Sequence, residues 1–146
     1  MKLIFLDIDG VLNSRKYDLK RGRDDGNIDL TRLELIKELV DRTEARIVLS
    51  SSWRAFWKPD EENEINATFA RCGLKIFDKT DMIGNRTDEI RDYLVRHSVN
   101  GGFVIIDDSP FGWAEMQDRV VRTSYFVGFG LEREHVERAI AILNGE

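Results

Sequence analysis

Three things that the sequence lacks limit what the protein can be. Cys72 is the only cysteine, which excludes an intrachain disulfide and a cysteine-ligated metal site. No apolar stretch approaches the roughly 20 residues that a membrane-spanning helix needs. No basic segment followed by an apolar run precedes the first predicted strand. These absences predict a cytoplasmic protein that does not associate with membranes.

An excess of positive charge is also missing. The 22 Lys and Arg residues are outnumbered by 27 Asp and Glu residues, so the net charge is −5. The whole molecule is therefore not suited to bind a phosphate backbone by bulk attraction, and any contact with nucleic acid has to be local. The length of 146 residues is enough for one domain with a real core but hardly for two. We expect one domain over residues 1–146.

A short apolar run near the start of the chain ends in two acids. Residues 3–6, Leu-Ile-Phe-Leu, predict a buried strand, and Asp7, Asp9 and Gly10 follow it. An isolated pair of acids is more often a solvated turn. Two carboxylates held at the end of a buried strand repel each other and resist desolvation, so they favour a bound cation or a shared proton. Mg²⁺ suits such a site because it takes oxygen ligands.

Two later apolar runs also end in polar residues. Residues 46–49 predict a strand that ends in three serines, and residues 103–106 predict one that ends in two acids. A helix capped by Asp29 separates the first two strands, and this strand–helix–strand order predicts a parallel sheet. Polar groups at the carboxyl ends of parallel strands should share one crevice. The groups expected there are Asp7, Asp9, Ser50, Ser51, Ser52, Asp107 and Asp108.

The rest of the chain predicts further helices and strands of an α/β fold. Residues 14–26 contain both basic and acidic residues without apolar periodicity, and we expect a loop or flap there. The other predicted elements are a helix over 61–72 ended by Gly73, a strand at 74–77, a loop at 78–86, a helix over 88–97 capped by Thr87, a short helix near 113–117, strand pieces at 120–121 and 125–127, and a last helix over 132–143.

The acidic and serine motifs resemble those of a known enzyme superfamily. Residues 5–12, Phe-Leu-Asp-Ile-Asp-Gly-Val-Leu, are similar to the first motif of the haloacid-dehalogenase-like (HAD) phosphohydrolases. Residues 47–52 resemble the second motif, and residues 105–109 resemble the fourth. The run Ser-Ser-Ser-Trp-Arg at 50–54 is similar to small HAD domains of RNA-repair proteins and, more distantly, to polynucleotide phosphatases. The resemblance implies a three-layer, Rossmann-like parallel sheet with helices on both faces and no full cap domain.

The resemblance also implies roles for individual residues. Asp7 would be the nucleophile that forms an aspartyl-phosphate, and Asp9 the general acid and base. Asp7, the backbone carbonyl of Asp9 and Asp108 would bind Mg²⁺, with Asp107 in support. The hydroxyl of Ser51, or alternatively of its neighbour Ser50, would hold a phosphoryl oxygen. The residues expected to contact substrate are Ser50, Ser52, Arg54 and Gly10.

The third motif departs from the superfamily pattern, which has a lysine near the start of the helix before the fourth-motif strand. Arg86 stands at the fitting position, and Lys79 lies earlier in the same predicted loop. We favour Arg86 because arginine stays charged and can bind two oxygens at once. A helix start is otherwise an unfavourable place for a cation, which supports a functional role.

The function that these motifs imply is hydrolysis of phosphomonoesters with Mg²⁺ as cofactor. The expected partner is a phosphorylated substrate, with nucleotides and nucleic-acid phosphate ends as candidates. Trp53, Trp57 and Trp113 could stack on bases, although burial in the core is the more frequent fate of a tryptophan. The alternative is a phosphate- or metal-binding module without turnover, for example one that resembles a receiver signalling domain.

Overall fold

Five parallel strands form one sheet at the centre of the protein. The computed structural model describes residues 1–22, 27–99, 101–110 and 112–145. The strand order is β3-β2-β1-β4-β5, and every neighbouring pair is parallel. The strands are β1 (Leu3–Leu6), β2 (Arg46–Leu49), β3 (Ile76–Lys79), β4 (Phe103–Asp107) and β5 (Val120–Arg122).

Helices connect these strands. The α-helices are α1 (Arg15–Arg21), α2 (Leu30–Thr43), α3 (Glu64–Ala70), α4 (Arg86–Arg96) and α5 (Arg133–Leu143). There are also two 3₁₀ helices among the described residues. The first, Ser52–Phe56, follows β2, and the second, Ala114–Arg119, precedes β5. The described residues between β1 and β2 form α1 and α2 and no further domain. In the described part of the chain, no helix combines the length and apolar character needed to cross a membrane.

The core lies on both faces of the sheet. Side chains of β1 alternate between the faces, because successive residues of a strand point in opposite directions. Ile4 and Leu6 belong to a cluster with apolar residues of α2, α3 and α5, whereas Leu3 and Phe5 pack with residues of α4 and the second 3₁₀ helix. The predicted α/β class with a three-layer, Rossmann-like arrangement is therefore confirmed.

The prediction of a loop over residues 14–26 is wrong for its first half. Residues 15–21 form α1, although they lack an apolar stripe. The Ser14 side chain caps the helix by accepting from the Tyr17 amide, and Gly22 ends it with a left-handed backbone at φ 67°. The hydroxyl of Tyr125 also donates to the buried Asp18 at 2.7 Å. Caps and a distant contact hold this helix; residues 23–26 lie outside the described residues.

Other element boundaries differ by a few residues or were assigned wrongly. Asn85, and not Thr87, caps α4 by accepting from the Asp88 amide. Residues 125–127 form bends and not a strand. The strand predicted at 74–77 lies two residues later, and the helix predicted at 61–72 is shorter. Asp29 caps α2 as expected, with its side chain accepting from the Thr31 amide.

The sheet order places the ends of β1, β2 and β4 side by side. Leu6 pairs with Leu49 of β2 on one side and with Ile106 of β4 on the other. The chain runs from β1 toward β2 and β3, and then returns to the opposite side of β1 as β4. In open parallel sheets, ligands bind at such a switch point beyond the carboxyl ends of the strands.

Candidate active site

Three carboxylates converge at the switch point between β1 and β4. Asp7 follows the last residue of β1, Asp107 ends β4, and Asp108 comes next. One oxygen of each lies within 4.8 Å of the others. Asp7 and Asp107 are buried, at 4% and 1% exposure, while Asp108 is partly buried. These oxygens are the hard ligands that Mg²⁺ takes in proteins, so the donor set fits that ion.

Gly10 allows Asp108 to approach this cluster. Its backbone has φ +80°, a left-handed conformation that glycine adopts without steric cost. A Cβ atom at this position would overlap the Asp108 carboxylate. The carbonyl of Gly10 also accepts from the Thr123 hydroxyl at 2.6 Å, and its amide donates to the Asn13 side chain at 2.9 Å. Gly10, which was expected to contact substrate, thus lies against a member of the acidic cluster.

Arg86 provides the positive charge that faces two of these acids. It is the first residue of α4, and its Nη1 atom lies 3.0 Å from Oδ2 of Asp7 and 2.6 Å from Oδ2 of Asp107. Its side chain remains 32% exposed. The cation therefore reaches both a buried pair of acids and the open side of the site.

The surroundings of Asp7 disfavour its charged form. Burial raises the pKa of the Asp7 carboxyl to about 7, and the nearby Asp107 carboxylate also raises it. Arg86 and the Ile8 amide act in the opposite direction. Burial and Asp107 likewise raise the pKa of Asp108. A cation bound among these oxygens would favour their ionised forms, so the electrostatics of the cluster suit a metal ion.

Asp9 lies in a different environment from the three clustered acids. Its side chain is exposed, and it accepts from two neutral donors. Nδ2 of Asn13 lies 2.9 Å from one carboxylate oxygen, and Nε1 of Trp53 lies 3.1 Å from the other. The two acids of the first motif are therefore separated, with Asp7 buried among charges and Asp9 open to solvent.

The serines after β2 lie beside the end of β1. The Ser50 amide donates to the Leu6 carbonyl at 2.9 Å, which extends the ladder between β2 and β1. Both Ser50 and Ser51 are buried. The Ser51 hydroxyl accepts from the Trp53 amide at 3.2 Å and retains its own hydrogen to donate. The Ser50 hydroxyl has no hydrogen-bond partner among the described residues.

Arg54, which was expected to contact substrate, is buried beside the serines. The side chain is only 3% exposed. Its guanidinium donates to the Ser50 and Ser51 carbonyls and forms an ion pair with Glu89. These partners occupy two of its three nitrogens. The third nitrogen, Nε, has no hydrogen-bond partner among the described residues, and Arg54 also lines the cavity beside Arg86.

Lys79 bonds to backbone oxygens. Its Nζ atom donates to the carbonyls of Arg54 and Trp57 at 3.1 and 3.2 Å. Of the two cations considered for the third motif, Arg86 is thus the one that contacts Asp7.

The ion pair between Arg54 and Glu89 was missed by sequence reasoning, because a glutamate in a polar helix gives no sign that it is buried.

A cavity of about 550 Å³ opens beside Arg86. Its lining includes the exposed Ser52, the paired Arg54 and Glu89, and also Ser109 and Trp113. Trp57 and Trp113 are core residues at 1% and 2% exposure, whereas Trp53 is only partly buried. Of the three tryptophans, Trp53 therefore has both a solvent-accessible ring and a contact with a motif acid.

A comparison of the chain with family models identifies its family. The model described as "HAD domain in Swiss Army Knife RNA repair proteins" matches residues 3–136. The chain belongs to this family. The resemblance noted from the motifs is thereby confirmed, and the chain is a HAD-type phosphohydrolase domain in the general sense. No curated protein and no solved structure gives a significant match. HAD domains generally use Mg²⁺, and the acidic cluster of this HAD domain is compatible with that ion.

Proposed function

We propose that this HAD domain hydrolyses phosphomonoesters in the presence of Mg²⁺ through an aspartyl-phosphate on Asp7. The observation that carries the proposal is the position of Asp7. It lies at the carboxyl end of the central strand, contacts the guanidinium of Arg86, and belongs to a cluster of three carboxylates. A carboxylate nucleophile splits one difficult displacement into two easier steps.

Asp7 and Asp9 divide the chemistry between them. An oxygen of Asp7 attacks the phosphorus, and the bond from phosphorus to the alcohol oxygen breaks. The protonated Asp9 gives its proton to the departing alcohol. A water molecule then attacks the phosphorus and loses a proton to Asp9, so Asp7 is released together with inorganic phosphate. The exposed position of Asp9 supports this role, because the leaving group has to approach it from solvent.

Mg²⁺ would be held by Asp7, Asp108 and the backbone carbonyl of Asp9, with Asp107 supporting the site. When bound, the ion would offset the repulsion between the anionic nucleophile and the anionic substrate. Arg86 is proposed to bind a phosphoryl oxygen and to neutralise charge on Asp7, as its contacts with two acids suggest. The Ser51 hydroxyl, with Ser50 as its alternative, is proposed to donate to another phosphoryl oxygen.

The proposed substrates are phosphorylated ends of nucleotides or nucleic acids. Two observations support this choice. The description of the matched family places its HAD domains in RNA-repair proteins, and the Trp53 ring lies partly exposed beside Asp9. Stacking of a base on an aromatic side chain contributes about 1 to 3 kcal/mol. The alternative of a receiver-like module is not favoured, because the chain belongs to a family of HAD domains.

A substrate screen tests the proposal. The purified chain is assayed with Mg²⁺ against an aryl phosphate, mononucleotides, 3′- and 5′-phosphorylated oligonucleotides, sugar phosphates and phosphopeptides. We expect release of inorganic phosphate that chelation abolishes and added Mg²⁺ restores, with oligonucleotide ends preferred. Turnover of mononucleotides alone would contradict the proposed preference for oligonucleotide ends. The absence of turnover with every compound would contradict the proposal that the protein is a phosphatase.

A further inference from the structure

A buried ion pair joins the serine loop to helix α4. Nη2 of Arg54, in the 3₁₀ helix after β2, lies 2.7 Å from Oε1 of Glu89 in α4. Each residue is only 3% exposed. The pair therefore connects the two segments that carry the phosphate-binding groups of the proposed reaction, the serines at one end and Arg86 at the other.

Arg54 holds the backbone of the serines. Its Nη1 atom donates to the Ser50 carbonyl at 3.1 Å and to the Ser51 carbonyl at 2.8 Å. The fork of donors on one rigid guanidinium thus fixes two consecutive carbonyls and a carboxylate at once, a geometry that the single ammonium of lysine does not provide.

Glu89 holds the other side of the connection. Its second oxygen, Oε2, accepts from the amides of Ile83 at 3.0 Å and Gly84 at 3.4 Å, in the loop that precedes α4. Glu89 also lies three residues after Arg86, so both belong to the same face of the first turns of the helix. Its carboxylate therefore fixes the loop and the helix start from which Arg86 extends.

The energetics of buried ion pairs favour a role in geometry. Removing two charges from water costs several kcal/mol per ion, and apolar pairs of similar volume are often equally stable or more stable. Apolar side chains could therefore fill the space of the Arg54–Glu89 pair without loss of packing. Its distinguishing property is that, besides the bond within the pair, four hydrogen bonds connect it to two serine carbonyls and two loop amides.

We propose that Arg54 and Glu89 are positioning residues that hold the serine loop and Arg86 at the separation required to bind one phosphoryl group. The inference rests on the proposed function and deepens it, because it assigns a role to Glu89, a residue of α4 that takes no part in the chemical steps proposed above. A displacement of about 1 Å in such groups can lower a rate about a hundredfold.

The test separates geometry from stability with an apolar replacement of the whole pair. In the double variant Arg54→Met/Glu89→Leu no buried charge is left unpaired, so we expect the protein to fold, with a lower melting temperature because backbone groups lose their hydrogen-bond partners. We expect the dissociation constant for inorganic phosphate, measured by calorimetry with Mg²⁺ present, to rise about tenfold or more. The KM for an aryl phosphate should rise with it.

A single variant provides a second test should the double variant fail to fold. In Glu89→Gln the side chain has one accepting oxygen, so it cannot serve both Arg54 and the Ile83 amide. We expect weaker phosphate binding in the folded protein here as well. Glu137→Gln is the matched control, because Glu137 of α5 forms an exposed ion pair with Arg42 of α2 and its loss should leave phosphate affinity unchanged.

The outcomes distinguish the positioning role from the proposed function. Wild-type phosphate affinity in either folded variant would overturn the positioning role, and so would a wild-type protein that binds no phosphate. Phosphate binding needs no turnover. A wild-type protein that binds phosphate but hydrolyses no ester would therefore contradict the proposed function alone.

Discussion

The guanidinium of Arg86 lies 3.0 Å from the carboxylate of Asp7, although 79 positions separate the two residues in the chain. Arg86 begins α4, where the helix dipole disfavours a cation. Two acids compensate for this position, since Asp107 also contacts the same nitrogen at 2.6 Å. The pair brings a fixed positive charge to the strand end where the proposed nucleophile lies.

Replacement of Arg86 should therefore reduce phosphatase activity strongly. We expect Arg86→Ala to lower kcat/KM about a hundredfold, the typical cost of losing one preorganised donor to a developing charge. Arg86→Lys should lose less, because it keeps the charge but not the two-pronged geometry. Steady-state kinetics on an aryl phosphate measure both. Arg91→Ala, on an exposed face of the same helix, is the control, and an equal loss there would argue against a specific role for Arg86.

Substitution of Asp7 by asparagine should abolish turnover. The amide keeps the shape of the side chain but is not a nucleophile, and we expect a fall of at least about a thousandfold in kcat. Release of phosphate with saturating Mg²⁺ measures the effect, and thermal unfolding checks that the variant is folded. Asp41→Asn, in an exposed ion pair of α2, should retain full activity. Activity retained in Asp7→Asn would remove Asp7 from its proposed role.

Gly10→Ala should weaken Mg²⁺ binding through Asp108. The added Cβ would overlap the Asp108 carboxylate, so the acid has to move away from the cluster. We expect Mg²⁺ affinity, read from the metal dependence of activity, to fall about tenfold. Gly22→Ala is a matched control, because its φ is also positive, +67°, while no described atom lies within 4 Å of the new Cβ. Gly22→Ala should lose about 1 to 2 kcal/mol of stability through its positive φ, and Gly10→Ala at least as much. Equal Mg²⁺ affinity in the two variants would contradict the role of the Gly10 contact.

His135 should make the protein less stable in mild acid. Its Nδ1 atom accepts from the Glu132 amide at 2.9 Å, which requires the neutral ring. Burial lowers the pKa of His135 from its ordinary value of 6.5, although Glu134 and Glu132 oppose this shift and Arg138 adds to it. The unfolded chain then binds more protons than the folded one just below pH 6.5, so stability is lost as the pH falls through that value.

The test of His135 compares two proteins by urea unfolding between pH 8 and pH 5. His135→Gln keeps an acceptor for the Glu132 amide but does not titrate. We expect the wild type to lose about 1 kcal/mol more than this variant on acidification, the typical net contribution of one hydrogen bond. Parallel curves for the two proteins would show that His135 does not contribute to the pH dependence.

The strands that carry the candidate site could be predicted from sequence because each is a short apolar run that ends abruptly in polar residues. The predicted bounds of β1 and β2 match the structure, and β4 extends one residue beyond its predicted end. The parallel order then followed from the helices between the strands. Helix α1 could not be predicted in the same way, because its caps and its contact with Tyr125 replace the apolar stripe that periodicity detects.

Side-chain roles were less accessible than strand positions. Arg54 stands next to an aromatic residue in a motif, and this placement suggested a contact with substrate. In the folded protein Arg54 turns inward to Glu89, which lies 35 positions away, and no local pattern indicates such a partner. The neighbouring Trp53 instead donates to Asp9, 44 positions earlier.

The amino-acid sequence alone determined the α/β class, the motif order and the set of acids and serines at the strand ends, because hydrophobic periodicity and local residue chemistry act over a few positions. The tertiary structure decided which cation faces Asp7, which motif arginine is internal, and that Gly10 makes room for Asp108. Those relationships depend on distances between segments far apart in the chain, and packing of the two helical layers on the sheet sets these distances.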